Sequence, residues 1–215
     1  MNTRKTGTRG APKESILILC EGEKTEPNYF KALCKDLRII VSTKIYGIGK
    51  NTDSLVQEAI NNKEDNYSEF EQIWCVFDRD SFPADDFNKA IKDAEKNGIK
   101  IAYSNEAFEI WYLLHYNYID SSLSRKQYSR MLSKRIGEEY KKNSENMYEK
   151  IKEKQIDAIN NAKKLLKFYN DKKSYNPEKN NPSTTVHCLV EELIKQSKTK
   201  INKGSVQNSV SAFKL

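Results

Sequence analysis

Histidine is scarce in this chain: 215 residues hold two, His115 and His187. Cysteine is little more frequent, and none of Cys20, Cys34, Cys75 and Cys188 forms a CxxC pair. That spacing, with so few histidines to assist, speaks against a zinc site. Cys20 and Cys75 sit inside apolar runs and read as small buried hydrophobes in a reduced cytoplasm. No apolar stretch approaches the roughly 20 residues needed to cross a bilayer, so no membrane partner is expected. The opening MNTRKTGTRGAPK is basic and lacks an apolar h-region, which excludes a secretory signal. It reads as a disordered basic arm over 1–13. There is no internal repeat and no GxxxxGK[ST] loop, so any ATP hydrolysis has to come from another chain. Charge, by contrast, is abundant. Thirty-seven Lys and Arg against 30 Asp and Glu leave a net charge of +7, which suits a phosphate-rich partner.

The first 120 residues alternate between two textures. SILILC (15–20) is a short continuous apolar run, the mark of a strand buried on both faces. Thr25 reads as an N-cap, with Glu26 and Pro27 in the first turn and an apolar stripe through Tyr29, Phe30, Leu33 and Leu37. RIIVSTKIYG (38–47) predicts a second strand. Thr52 or Ser54 then caps a helix carrying Leu55, Val56, Ala59 and Ile60. QIWCVFD (72–78) is a third strand, followed by a helix from about Pro83 to Asn97 that stops at Gly98. IKIAYS (99–104) is a fourth strand, and NEAFEIWYLLHY (105–116) opens another amphipathic segment. Repeated strand-helix units imply a parallel sheet with helices on both faces. After residue 120 strand signals stop and lysine becomes frequent. Helical patterns cover about 124–136, 145–172 and 183–199, with Ser183 and Thr184 as caps of the last, and 204–215 reads as a loose tail. The expected organisation is an α/β core over 14–120 with a helical extension over 121–203 packed on it.

In an open parallel sheet, ligands bind beyond the carboxyl ends of the strands. Glu21 follows the first strand, Asp78 and Asp80 close the third, and Glu109 lies just past the fourth, so all four are expected on one edge. Carboxylates held that close repel one another unless protons or cations intervene. Oxygen ligands of this kind suit Mg²⁺ or Mn²⁺. Two such ions roughly 3.5–4 Å apart activate an attacking water and stabilise the leaving oxygen in phosphodiester cleavage, with no histidine required. Lys24, Lys50 and Arg79 are the cations expected to meet the phosphate backbone. Each residue also has a plainer reading. Glu21 is otherwise a loop residue, Gly22 a turn, Glu23 a solvated charge and Asp78-Arg79-Asp80 a turn after a strand. Glu26 stands between a first-turn charge complementing the helix dipole and a second metal ligand. Glu109 and Trp111 are otherwise surface and core, and His115 a packing histidine.

CEGEKTEPNYF (20–30), FDRD (77–80), SNEAFEIWYLLH (104–115) and NPSTTVHCLVEEL (181–193) resemble the RloB (AbiL-type) family of abortive-infection proteins, over about residues 14–200. The resemblance implies a Toprim-like parallel-sheet core with a C-terminal helical appendage. It implies Glu21 as the Toprim glutamate, Asp78 and Asp80 as metal-binding aspartates, and Ser104, Asn105, Glu109 and His115 as the third motif. The family's proline and cysteine after the asparagine are replaced here by Glu106 and Ala107, which adds a carboxylate beside the site. The resemblance further implies a partner ATPase similar to RloA.

The leading expectation is a metal-dependent nuclease of phage defence, acting on RNA (tRNA included) or DNA with two Mg²⁺ or Mn²⁺ ions. Glu21, Asp78, Asp80 and Glu109 carry catalysis; Glu21, Asp78, Asp80 and Glu26 hold metal; Lys24, Arg79, Ser104, Asn105 and His115 touch substrate. The competing expectation is a non-catalytic Toprim-like subunit that docks on an ATPase or on nucleic acid. A third takes the DRD aspartate as a phosphotransfer or phosphatase residue. Oligomerisation is compatible with all three.

Overall fold

A computed structural model of the chain describes residues 15–39, 44–47, 52–65, 70–79, 84–173 and 176–210. The basic arm, Lys50, Asp80, Pro83 and the last residues of the tail lie outside them.

The alternation seen in the first half becomes β1 (Ile16–Cys20), α1 (Thr25–Asp36), β2 (Lys44–Gly47), α2 (Thr52–Asp65), β3 (Gln72–Asp78), α3 (Ala84–Lys96), β4 (Lys100–Asn105) and α4 (Glu109–Leu114). Then follow α5 (Arg125–Ile136), α6 (Met147–Ile151), α7 (Gln155–Asp171), β5 (Ser183–Thr184) and α8 (Val186–Val210). The single helix expected over 145–172 is divided by a 3-10 turn at Lys152–Lys154, and α8 continues into the stretch read as tail. The fold is α/β, with a mostly parallel five-stranded mixed sheet ordered β2-β1-β3-β4-β5. β1 pairs in parallel with both β2 and β3, and β3 with β4.

β5 corrects the expectation that strands end near residue 120. Ser183 and Thr184 are not simple helix caps: they pair antiparallel with Asn105 and Ser104 and extend the sheet edge. Thr184 Oγ1 does accept the Val186 N–H at 3.2 Å, so it serves the start of α8 as well. The N-cap expected at Thr25 also differs. Lys24 occupies that position without a side-chain bond, and the Thr25 hydroxyl donates instead to Asn143 Oδ1 at 2.9 Å.

Because strand side chains alternate between faces, β1 and β3 feed two separate cores. Ile16, Ile18, Cys20, Trp74 and Val76 face Tyr29, Phe30, Trp111, Tyr128, Leu132, Tyr148, Ala158 and Leu189. Leu17, Leu19, Ile73, Cys75 and Phe77 face Leu55, Ala59, Phe87 and Ala94 of α2 and α3. Helices therefore cover both sheet faces, and the larger core mixes residues from before and after position 120. Among the described residues no helix is long and apolar enough to cross a membrane.

Candidate functional site

The strand order reverses between β1 and β3: β2 lies outside β1 on one side, while β3 and β4 continue on the other. Ligand sites of open α/β sheets favour this point, at the carboxyl ends of the diverging strands. Here those ends carry Glu21 and Asp78. The Glu21 N–H still bonds Val76 O at 2.9 Å, and Glu21 Oε2 accepts the Asp78 N–H at 3.1 Å, tying the two ends together.

The loop after β1 is tightly folded over this point. A Cβ on Gly22 would lie 2.2 Å from Glu26 Oε2, so glycine is what lets the Glu26 carboxyl rest against the chain. A Cβ on Gly47, at the end of β2, would stand 2.4 Å from the Glu23 Cα. Glu26 is thereby turned inward from the first turn of α1 and is only 5 % exposed. A charge placed merely to complement a helix dipole has no reason to be buried. Glu23 and Lys24, by contrast, are exposed. Asp78 closes β3 on the same face as Trp74 and Val76, and Glu109 opens α4 at 8 % exposure.

These carboxyls feel one another. Burial raises the Asp78 pKa far above the usual carboxylate range, and the charges of Glu26, Glu109 and Glu21 push it further, against a hydrogen bond from the Phe108 backbone. Glu26 is raised by burial and by Glu109, with Lys142 and Arg125 acting in the opposite sense. Asp78 Oδ1 and Glu26 Oε2 are sealed from solvent with no hydrogen-bond partner among the described residues. An orphaned buried carboxylate oxygen costs several kcal/mol if charged, by order of magnitude, unless a proton or cation meets it.

Tyrosines line the other side of the cluster. Tyr140 donates its hydroxyl to Glu109 Oε1 at 3.0 Å, and Tyr112 donates to Thr25 O at 3.4 Å. Burial, and then the neighbouring carboxylates, hold the Tyr112, Tyr128 and Tyr140 hydroxyls above their ordinary range, so they remain donors. Sequence reading missed Tyr128, Tyr140, Arg125 and Lys142. They come from α5 and the connection after it, and no local pattern ties them to strand ends that lie far earlier in the chain.

The structure thus brings together Glu21, Glu26, Asp78 and Glu109. The remaining expected residues have other neighbours. Ser104 is buried with its hydroxyl 3.1 Å from that of Thr184. Asn105 donates to the carbonyls of Pro177 and Glu178 at 2.9 and 2.8 Å, anchoring the 176–181 connection. The peptide between Asn105 and Glu106 is cis. Arg79 pairs with Glu178 at 3.3 Å. His115 lies at the far end of α4, 1 % exposed, donating from Nδ1 to Trp111 O at 2.9 Å, and burial lowers its pKa to about 4. It is a neutral packing group as placed.

A family of RloB-like proteins matches this chain over residues 16–193. The chain belongs to the RloB-like protein family. The match spans every strand of the sheet, all four clustered carboxylates and the tyrosines above them. No curated protein matches the chain, and no solved structure does.

A divalent cation is the group that the resemblance implies. Among the described residues no three His, Cys, Asp or Glu side chains form a ready-made cage. The chemistry of the donor set nevertheless fits a hard cation: oxygens alone, four carboxyls, two of them with orphaned buried oxygens. Glu21, Glu26 and Asp78 are the residues that could hold it, with Glu109 steadied by Tyr140 beside them.

Proposed function

We propose that this RloB-like protein is a Toprim-like, metal-dependent nuclease with a role in defence against phage, and that the carboxyl cluster at the β1/β3 switch point is its catalytic centre. The observation that carries the reading is the burial of Glu26 and Glu109 beside Glu21 and the half-buried Asp78, with sealed, orphaned oxygens on Glu26 and Asp78. Such an arrangement works against folding in the absence of a cation and gains its sense when one is bound. Bound Mg²⁺ or Mn²⁺ would supply activation of water and stabilisation of the leaving oxygen of a phosphodiester.

The chain's own residues have separable parts in this reading. Glu21 both ligates and, through the Asp78 N–H, fixes the spacing of the two strand ends. Tyr140 orients Glu109 by its hydroxyl and stays protonated throughout the neutral range. Arg125 and Lys142, whose charges act on Glu26, offer positive potential to an incoming phosphate backbone. Membership of the family is compatible with a defence role, and the reading includes a partner ATPase similar to RloA, the chain having no GxxxxGK[ST] motif.

The test compares wild type, Glu21→Ala and Asp78→Ala on plasmid and on tRNA with Mg²⁺ or Mn²⁺, beside calorimetric titration of Mn²⁺. Wild type is expected to bind Mn²⁺ and cleave, and both variants to lose binding and at least 100-fold of the rate, on the scale of about 3 kcal/mol of transition-state stabilisation. Equal cleavage by all three proteins refutes the assigned centre. Absence of Mn²⁺ binding by the wild type favours the non-catalytic docking subunit.

A further inference from the structure

The first turn of the helical extension onto α7 carries a second pattern, away from the carboxyls. Lys154 lies over the Tyr116 ring at 4.8 Å, Lys164 over Tyr118 at 4.1 Å and Lys172 over Phe168 at 3.8 Å. Contacts of this kind occur about once per 70–80 residues in folded proteins. Three of them here share one helix and its two ends. The three lysines are exposed and the three rings half-buried.

The helical period explains why they line up. At 3.6 residues per turn, Asp157, Lys164 and Phe168 of α7 fall within about 40° of one another, with Lys154 in the 3-10 turn before the helix and Lys172 at its C-cap. Asn161, on the same side, donates to Leu114 O at 2.8 Å and fastens α7 to the 115–120 connection, which brings Tyr116 and Tyr118 into the row. Tyr169, next to Phe168, is fixed by its hydroxyl to Pro182 O at 3.1 Å. Asp120 is the acidic group that acts on Tyr118. Other lysines of α7 are engaged with carboxylates, Lys163 with Glu191 and Lys167 with Asp171. The stripe lysines rest on rings instead.

From this row we infer that the α7 face, with Tyr116 and Tyr118, is a binding track for single-stranded nucleic acid. The inference rests on the nuclease reading and deepens it by naming the form of the substrate. Unpaired bases stack on aromatic faces while the backbone follows positive charge. Each lysine covers the ring face that a base would take. On binding, the ammonium exchanges a solvent-exposed ring contact for a phosphate and leaves the ring to the base. A base stack is the stronger of the two contacts on an exposed ring. A duplex offers its phosphates but keeps its base faces inside, so it can use the lysines and not the rings.

The experiment measures fluorescence anisotropy of labelled 20-nucleotide single-stranded RNA and DNA and of the matching duplex, with the full chain in EDTA so that no cleavage intervenes. The proteins are wild type, Lys154→Gln/Lys164→Gln/Lys172→Gln, Tyr118→Leu/Phe168→Leu, and Asp78→Ala. Single strands are expected to bind at least 10-fold tighter than duplex. The glutamine triple is expected to lower the slope of log K against log salt by about 2, from three phosphate contacts on a single strand. The leucine pair, which keeps apolar bulk, is expected to lose ~5-fold or more per ring for single strands and nothing for duplex. The RNA and DNA arms report which sugar is preferred. Duplex bound as well as single strand, or single-strand affinity unchanged in either stripe variant, overturns the inference. Asp78→Ala separates the two readings: single-strand binding that persists in it in EDTA, with cleavage lost in the separate Mg²⁺ or Mn²⁺ assay, supports the track and the centre together. Single-strand binding by a wild type that never cleaves keeps the track and removes the nuclease.

Discussion

Glu26 illustrates what a residue type cannot reveal about itself. Its position in the first turn of α1 was legible, and so was the strand-end placement of Glu21, Asp78 and Glu109, because a continuous apolar run that stops at a carboxylate marks the edge of a buried strand. The burial of Glu26 was not, since it depends on the missing Cβ of Gly22 and on side chains from the loop after α5. Charge repulsion gives this cluster a thermodynamic signature. Asp78 has a raised pKa in the fold, so its ionisation is a cost that grows as pH rises past the unfolded value near 4. Asp78→Asn is therefore expected to stabilise the metal-free protein by on the order of 1 kcal/mol, or about 2–4 °C in a thermal melt at pH 7. The same variant is expected to lose the upward shift that Mn²⁺ gives the wild type. A metal-free Asp78→Asn that melts below wild type contradicts this account. The two histidines act with the opposite sign. Burial lowers His115 and His187 to about 4, while the unfolded chain titrates near 6.5. Between those values the unfolded state binds more protons, so stability falls as pH falls, by up to about 3 kcal/mol per residue. Urea denaturation at pH 7 and 4.5 is expected to show that loss, and His187→Leu to remove about half of it.

Among elements, length and regularity decided what the sequence disclosed. β1, β3 and β4 announce themselves by apolar runs and α5 by its helical pattern, whose ends the structure closes with the Ser124/Gln127 capping box and Gly137, at φ +76°. β5 has two residues, too few to display any period, and it exists because β4 presents an open edge to it. The pairing has consequences for the connection before it. Asn105 holds the carbonyls of Pro177 and Glu178, and Glu178 in turn meets Arg79. Asn105→Ala removes both amide bonds and is expected to cost about 1–3 kcal/mol. Hydrogen exchange is the sensitive readout: faster exchange confined to 176–185 is expected, and protection unchanged there refutes the anchoring role.

At the scale of the whole molecule, the change of texture near residue 120 marks the start of the helical extension that the sequence reading expects to pack on the core. Lysine-rich helices look like an addition to the sheet domain when judged by surface composition. Their inward faces, however, supply Tyr128, Leu132, Tyr148, Ala158, Val190 and Leu193 to the same core as Ile16, Trp74 and Trp111. A chain cut after residue 120 keeps Tyr29, Phe30 and Trp111 on that face but strips the side chains packed over them, and is expected to show no cooperative thermal transition by circular dichroism. A sharp transition in that fragment contradicts the shared core. The order of synthesis gives the late strand a further meaning. Ser104 and Thr184, whose hydroxyls meet across the β4/β5 pair, are 80 residues apart in the chain. A ribosome adding about 5–20 residues per second leaves the β4 edge unpaired for about 4–16 s after Ser104 is made. Glu21, Asp78 and Glu109 are thus made before the strand that completes the sheet edge. Until β5 is made, the nascent chain therefore holds its strand-end carboxylates beside an incomplete sheet.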